Sequence, residues 1–246
     1  MDAQKKQKRR DLIWPIIIMF LSTCVVMGCF YWIKSWDSTL VQPVMDVVGE
    51  ETDPCVGRLI CCAMYFVLAV LSALLAVKTW EKNPERLPVP FTFAAFGGSF
   101  LWVSVGECLW HFGMSYMDEE QVVGFGNFPR LESFQGLIPF LLVAILVIVL
   151  FRRIDFPLIA FMLVFLANWG GHLFIVATYP LFLAFGLEIT LADFYWISSL
   201  VQFIFFGVIA ALIYIFDKKR EAMYFAAILL YVSLGGLVFG VILGET

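Results

Sequence analysis

The sequence predicts an all-α polytopic integral membrane protein with seven transmembrane helices, its N-terminus cytoplasmic and its C-terminus outside. Three observations predict it. Hydrophobic residues make up 62% of the chain and charged residues only 15%, whereas a soluble domain has roughly 45–50% and 25%. Seven apolar segments, at about 12–33, 55–77, 91–116, 133–151, 157–184, 194–216 and 222–243, each match the ~20 residues that a bilayer core demands. Short polar connections separate them, and the basic residues collect in alternate connections.

The first segment, Leu12 to Ile33, follows Lys5, Lys6, Lys8, Arg9 and Arg10. It is too long for the apolar core of a signal peptide and lacks a small-residue cleavage site, so it reads as a retained span. Residues 35–54 mix Trp36, Leu40, Val41 and Val44 with acids ahead of Asp53-Pro54, the pattern of a short interfacial helix. The second segment opens with Arg58 and ends before Asn83-Pro84, where Pro88 and Pro90 stiffen the connection. In the third, Gly97-Gly98 permits close helix approach, as Gly235-Gly236 does in the seventh. Residues 117–132 pass through Gly124-Phe125-Gly126-Asn127-Phe128-Pro129, an ordered turn.

The fourth segment opens with Glu132, Ser133 and Gln135, and Arg152-Arg153-Ile154-Asp155 forms a tight hairpin to the fifth. Pro139 and Pro180 are expected to kink the fourth and fifth segments. The sixth opens with Asp193, Ser198, Ser199 and Gln202, and the seventh lacks a strong polar group and reads as a packing or partner-facing helix. No nucleotide loop or nucleic-acid surface interrupts this order. The chain, 1–246, is therefore read as one transmembrane helical domain.

The connections before segment 1 and between segments 2–3, 4–5 and 6–7 hold about four-fifths of the Lys and Arg residues, leaving Lys34, Arg58 and Arg130 on the other side. The positive-inside rule makes the rich side cytoplasmic. The opposite side is acidic, with Glu50, Glu51, Asp53, Asp118, Glu119 and Glu120; this is either a solvated surface or a funnel for cations. Compact architecture and short loops favour a bacterial inner membrane. Five of the cysteines lie in apolar runs without chelating spacing and read as small hydrophobes.

Candidate function rests on ionisable residues inside the spans, because each costs roughly 2.5–3.5 kcal/mol at a helix centre and so marks a functional site by default. Glu107 and His111 lie four residues apart in the third segment, and Asn168 and His172 repeat the spacing in the fifth. Residues so spaced share a helix face. Each His is also accompanied by a Trp (Trp110, Trp169), nearby glycines and a later Tyr (Tyr116, Tyr179), a pattern open to reading as a tandem repeat of the kind found in some transporters. By topology Glu107 and His111 belong to the outer half of the membrane, Asn168 and His172 to its middle or slightly outward. Glu132, Gln135 and Arg58 join them from neighbouring segments.

Several chemistries use such a set. Two imidazoles, His111 and His172, are the ligand type of a b-type haem. His111, His172 and Glu107 are ligand types for a metal ion such as Zn, Cu or Fe, although no diagnostic spacing accompanies them. A quinone site needs donors to two carbonyl oxygens and proton acceptors; His111, His172, Asn168, Gln135 and Arg58 supply the first, and Glu107, His111 and Glu132 the second. The same residues would serve a transporter of a small polar or cationic solute, or an intramembrane metal-dependent enzyme. They would also serve as hydrogen bonds that hold helices together. The leading expectation is the membrane subunit of a quinone-linked redox system, an oxidoreductase component of electron transport. Its partners would be the lipid bilayer and other membrane or peripheral subunits, not nucleic acid.

Overall fold

The computed structural model describes residues 2–35, 55–115, 155–168 and 191–244, together with 145, 146 and 149. Among these residues all regular structure is helical. The longer helices are α1 (Asp2–Ser35), α2 (Cys55–Lys82) and α3 (Pro88–Ser115). A shorter apolar helix follows, α4 (Phe156–Asn168), and then α5 (Leu191–Phe216) and α6 (Arg220–Gly244). Five of them, all but α4, are long and apolar enough to cross a membrane, and they correspond to the expected spans 1, 2, 3, 6 and 7. The expected span 133–151, most of 157–184, the loops 35–54 and 117–132, and Pro139 and Pro180 lie outside the described residues.

Helix α1 departs from expectation at its start. The basic run ahead of Leu12 is helical and continuous with the span, giving 34 residues, about 51 Å at 1.5 Å per residue. Lys, Arg and Gln are good helix formers and nothing in the run breaks the ladder. Pro15 lies inside the helix and deprives the Asp11 carbonyl of its usual partner. Neighbouring helices that bury Pro15 almost completely support the chain there.

Pro88 and Pro90 also sit differently from expectation: they form the first turn of α3 rather than the connection. Orphan N–H groups belong at that turn in any case, so proline's missing donor costs little. Val89 N–H donates to the Arg86 carbonyl at 3.2 Å and Phe91 N–H to the Leu87 carbonyl at 3.1 Å, which starts the helix. The tight α5–α6 connection is fixed by Asp217, whose carboxylate accepts the Lys219 N–H at 2.9 Å, a local side-chain turn.

Helices α2 and α3 pack as one antiparallel pair, α5 and α6 as another, and α1 packs against both α3 and α6. Helix α4 lies on α3 at Gly98, where an added Cβ would stand 2.8 Å from the Phe161 carbonyl oxygen and 2.9 Å from the Phe165 nitrogen. Backbone therefore meets backbone, which is the close approach expected of Gly97-Gly98. Gly236 clears space for the Gln202 side chain, which would lie 2.6 Å from an added Cβ; Gln202 in turn donates to the Val232 carbonyl at 3.1 Å. Gly235 meets nothing within 4 Å among the described residues. Helix α6, read from sequence as packing or partner-facing, is a packing helix: Tyr224, Ala227, Ile228 and Val232 are buried.

One end of the bundle is defined by contacts between distant parts of the chain. Arg220 Nε donates to Asp11 at 2.9 Å and its Nη1 to the Glu85 carbonyl at 2.9 Å, while Lys8 Nζ donates to the Asp217 carbonyl at 2.9 Å. The start of α4 joins them through Phe156, whose ring lies 5.5 Å from Trp80 and 5.6 Å from Tyr224. The segments before α1, between α2 and α3, before α4 and between α5 and α6 thus meet at one end, called here the basic end. Above it Phe91, Ala94, Phe156, Ala160, Tyr224 and Ile228 form a dry core. The outer flanks of α1, α2 and α5 expose Ile17, Phe20, Leu71, Leu74, Ile204, Val208 and Ile215, an apolar surface far larger than a water-soluble monomer carries. These faces contact the lipid bilayer.

Candidate functional site

Heights along the bundle follow from two interhelical hydrogen bonds. The Ser104 hydroxyl donates to the Cys62 carbonyl at 2.8 Å, which sets α2 against α3. Arg58 lies four residues beyond Cys62 away from the basic end, and Glu107 three residues beyond Ser104. At 1.5 Å per residue their backbones fall within about 1.5 Å of one another in height. His111 lies about 6 Å farther out along α3. Three of the candidates from the sequence therefore sit on one antiparallel helix pair, near the end opposite the basic residues.

Asn168 sits elsewhere. Its Nδ2 donates to the Ser99 hydroxyl at 3.2 Å and its Oδ1 accepts from Thr23 at 3.4 Å; the Tyr231 hydroxyl completes the series by donating to Thr23 at 3.0 Å. Ser99 is eight residues before Glu107, so Asn168 stands about 12 Å closer to the basic end than Glu107. Ser99 is also eleven residues from the start of α3, about 16 Å up a hydrocarbon layer about 30 Å thick. This polar group thus occupies the middle of the membrane and fastens α1, α3, α4 and α6 together. His172, Glu132 and Gln135 lie outside the described residues, so Asn168 is the one candidate with a described side chain, and both functions of its amide are engaged.

Between the two levels lies Tyr65. Its ring packs on Phe30 at 6.2 Å and Phe100 at 5.9 Å between centroids, with Val26 and Val103 beside it. The side chain is 2% exposed, yet its hydroxyl has no hydrogen-bond partner among the described residues. An unpaired buried hydroxyl costs about 1–3 kcal/mol. From sequence Tyr65 reads as packing or an interfacial anchor; its hydroxyl adds a buried donor on α2, its backbone seven residues, about 10 Å, from Arg58 toward the basic end.

Sequence reasoning missed Thr23, Ser99 and Tyr231. The only signal for them is a hydroxyl within an apolar run, which is common in membrane helices and names no partner. It also missed Asp11, which is buried and takes a fork of two bonds from Arg220, at 2.9 and 3.2 Å, plus one from Gln7 at 3.0 Å. Among the described residues no three His, Cys, Asp or Glu side chains form a group that could hold a metal ion. No family model, no curated protein and no solved structure matches the chain.

Proposed function

We propose that the protein is the membrane subunit of a quinone-linked redox system, with its quinol site at the end of the bundle opposite the basic residues. The Tyr65 hydroxyl, buried and without a partner among the described residues, carries this reading. A quinol or quinone oxygen reaching down between α1, α2 and α3 would satisfy that donor. About two turns higher by backbone, 9–10 Å, Arg58 and Glu107 share a level, and His111 follows.

Oxidation of a quinol releases two protons and two electrons. In this reading Glu107 and His111 take the protons and pass them to the nearby aqueous face, with Glu132 and Gln135 closing the site. His172 binds the ring or, with His111, a b-type haem, which supplies a one-electron acceptor when bound; otherwise the electrons pass to a redox centre of a partner subunit. Asn168, whose amide is already spent on Thr23 and Ser99, anchors α4 beneath the site. The positive-inside rule turns the basic end to the cytoplasm and the site outward, in a seven-span chain with a cytoplasmic N-terminus. A bacterial inner membrane, where protons are released outside, fits that arrangement.

The test is quinol oxidation by membranes carrying the protein and its co-purifying subunits, with a soluble dye as terminal acceptor. Tyr65→Phe is expected to raise KM for quinol while sparing kcat, and His111→Ala to lower kcat by 10²-fold or more, the scale of a lost proton acceptor. Rates unchanged by both substitutions would remove the proposal.

A further inference from the structure

We propose that the basic end carries a binding surface for anionic phospholipid headgroups, built by the helical extension of α1. This rests on surface charge and helix docking, and is independent of the redox reading. The extension is not a free tail. Lys8 donates to the Asp217 carbonyl and stands 4.7 Å over the Tyr214 ring, while Asp11 pairs with Arg220. One face of the extension is thereby docked on the ends of α5 and α6.

Lys5, Lys6, Arg9 and Arg10 remain exposed on that docked helix, and Lys218 and Lys219 are exposed beside the docking point. Asp11, the acid next to Arg10, is already paired. Other cations at this end are offset: Lys78, Lys82 and Arg86 alternate with Glu81 and Glu85, all exposed. Height points to lipid rather than to a soluble anion. Arg10 lies three residues before the exposed Ile13, and Lys218 two residues after the exposed Phe216, so these two stand about 3–5 Å beyond the lipid-facing apolar band, with Arg9, Lys6 and Lys5 rising from there to about 12 Å. Phosphodiesters of the headgroups occupy that level, and juxtamembrane clusters of this size select anionic lipid.

The experiment uses the full chain reconstituted in nanodiscs of equal parts phosphatidylglycerol and phosphatidylcholine, followed by extraction into detergent and mass analysis of the retained lipid. The unsubstituted protein is expected to retain phosphatidylglycerol over phosphatidylcholine by about fivefold or more, the scale of one near-surface cation. Washing in 1 M salt, where the screening length is about 3 Å, is expected to abolish the preference. Replacing Lys5, Lys6, Arg9 and Arg10 together by Gln should bring the ratio close to the input, whereas Lys78→Gln with Lys82→Gln should leave it largely unchanged. Equal retention of the two lipids by the unsubstituted protein, a preference that survives 1 M salt, or equal damage from the two sets of substitutions would overturn the proposal. The salt arm needs no variant and so holds even if a substituted chain fails to fold.

Discussion

Replacing Gly98 by Ala probes the contact that seats α4 on α3. The new methyl carbon would stand 2.8 Å from the Phe161 carbonyl oxygen, 2.9 Å from the Phe165 nitrogen and 3.0 Å from the Val164 Cβ, where ordinary contact begins at 3.4 Å. Two of these three atoms are backbone, so no rotamer change relieves them and α4 must retreat by about half an ångström. Overpacking of this kind costs typically 1–3 kcal/mol. The retreat also stretches the Asn168–Ser99 bond from 3.2 Å beyond useful length, forfeiting about 0.6 kcal/mol more. A loss of about 2–3 kcal/mol is expected in reversible unfolding by dodecyl sulfate in mixed micelles. Gly97→Ala is the internal contrast. Its methyl would meet the Phe161 ring at 2.7 Å, a side chain that can turn aside, so its loss should be smaller, about 1 kcal/mol. Equal stability of Gly98→Ala and the unsubstituted chain, or a greater loss at Gly97, would refute the backbone contact.

Other substitutions separate the polar groups by what they touch. Asn168→Leu removes bonds to Ser99 and Thr23 and is expected to cost about 1–2 kcal/mol in the same unfolding assay; combined with Thr23→Val it should cost less than the sum, because the two share a bond. Arg220→Gln leaves Asp11, 4% exposed in its side chain, without its cation, while Arg220 itself is 41% exposed. The buried-pair penalty is therefore tempered by solvent, to about 1–3 kcal/mol, and a second change, Asp11→Asn, should recover part of it. Tyr224→Phe removes a buried hydroxyl that has no partner among the described residues, so stability should hold or rise by up to about 1 kcal/mol; a clear loss would reveal a bond from that hydroxyl.

The sequence made some of this legible and hid the rest for physical reasons. Hydropathy and length located α2, α3, α5 and α6 closely, since a span must satisfy the bilayer whatever it packs against. Gly97-Gly98 and Gly236 were readable because close approach needs a missing Cβ. The same criterion could not see that Lys5 to Arg10 continue α1, because hydropathy ends where the bilayer does and a helix need not. Pairings such as Asp11 with Arg220 and Thr23 with Tyr231 join residues about two hundred positions apart, and nothing local records which helices touch. Glu107 and Arg58 were legible as costly residues, but their common height required the Ser104–Cys62 bond. For Asn168 the sequence named a polar residue near mid-membrane, and its partners changed its proposed role from ligand to anchor.

The proposed quinol site lies along α2 and α3, from Tyr65 to Arg58, Glu107 and His111. The most direct measurement is quinone extraction from the detergent-purified protein, compared with the Tyr65→Phe and His111→Ala proteins, alongside a visible absorption spectrum. The account predicts stoichiometric quinone in the unsubstituted protein and a marked reduction in both variants. A protein that retains no quinone, shows no haem absorption and takes up no added quinol would contradict it, and the polar residues of these helices would then stand as contacts that hold the bundle together.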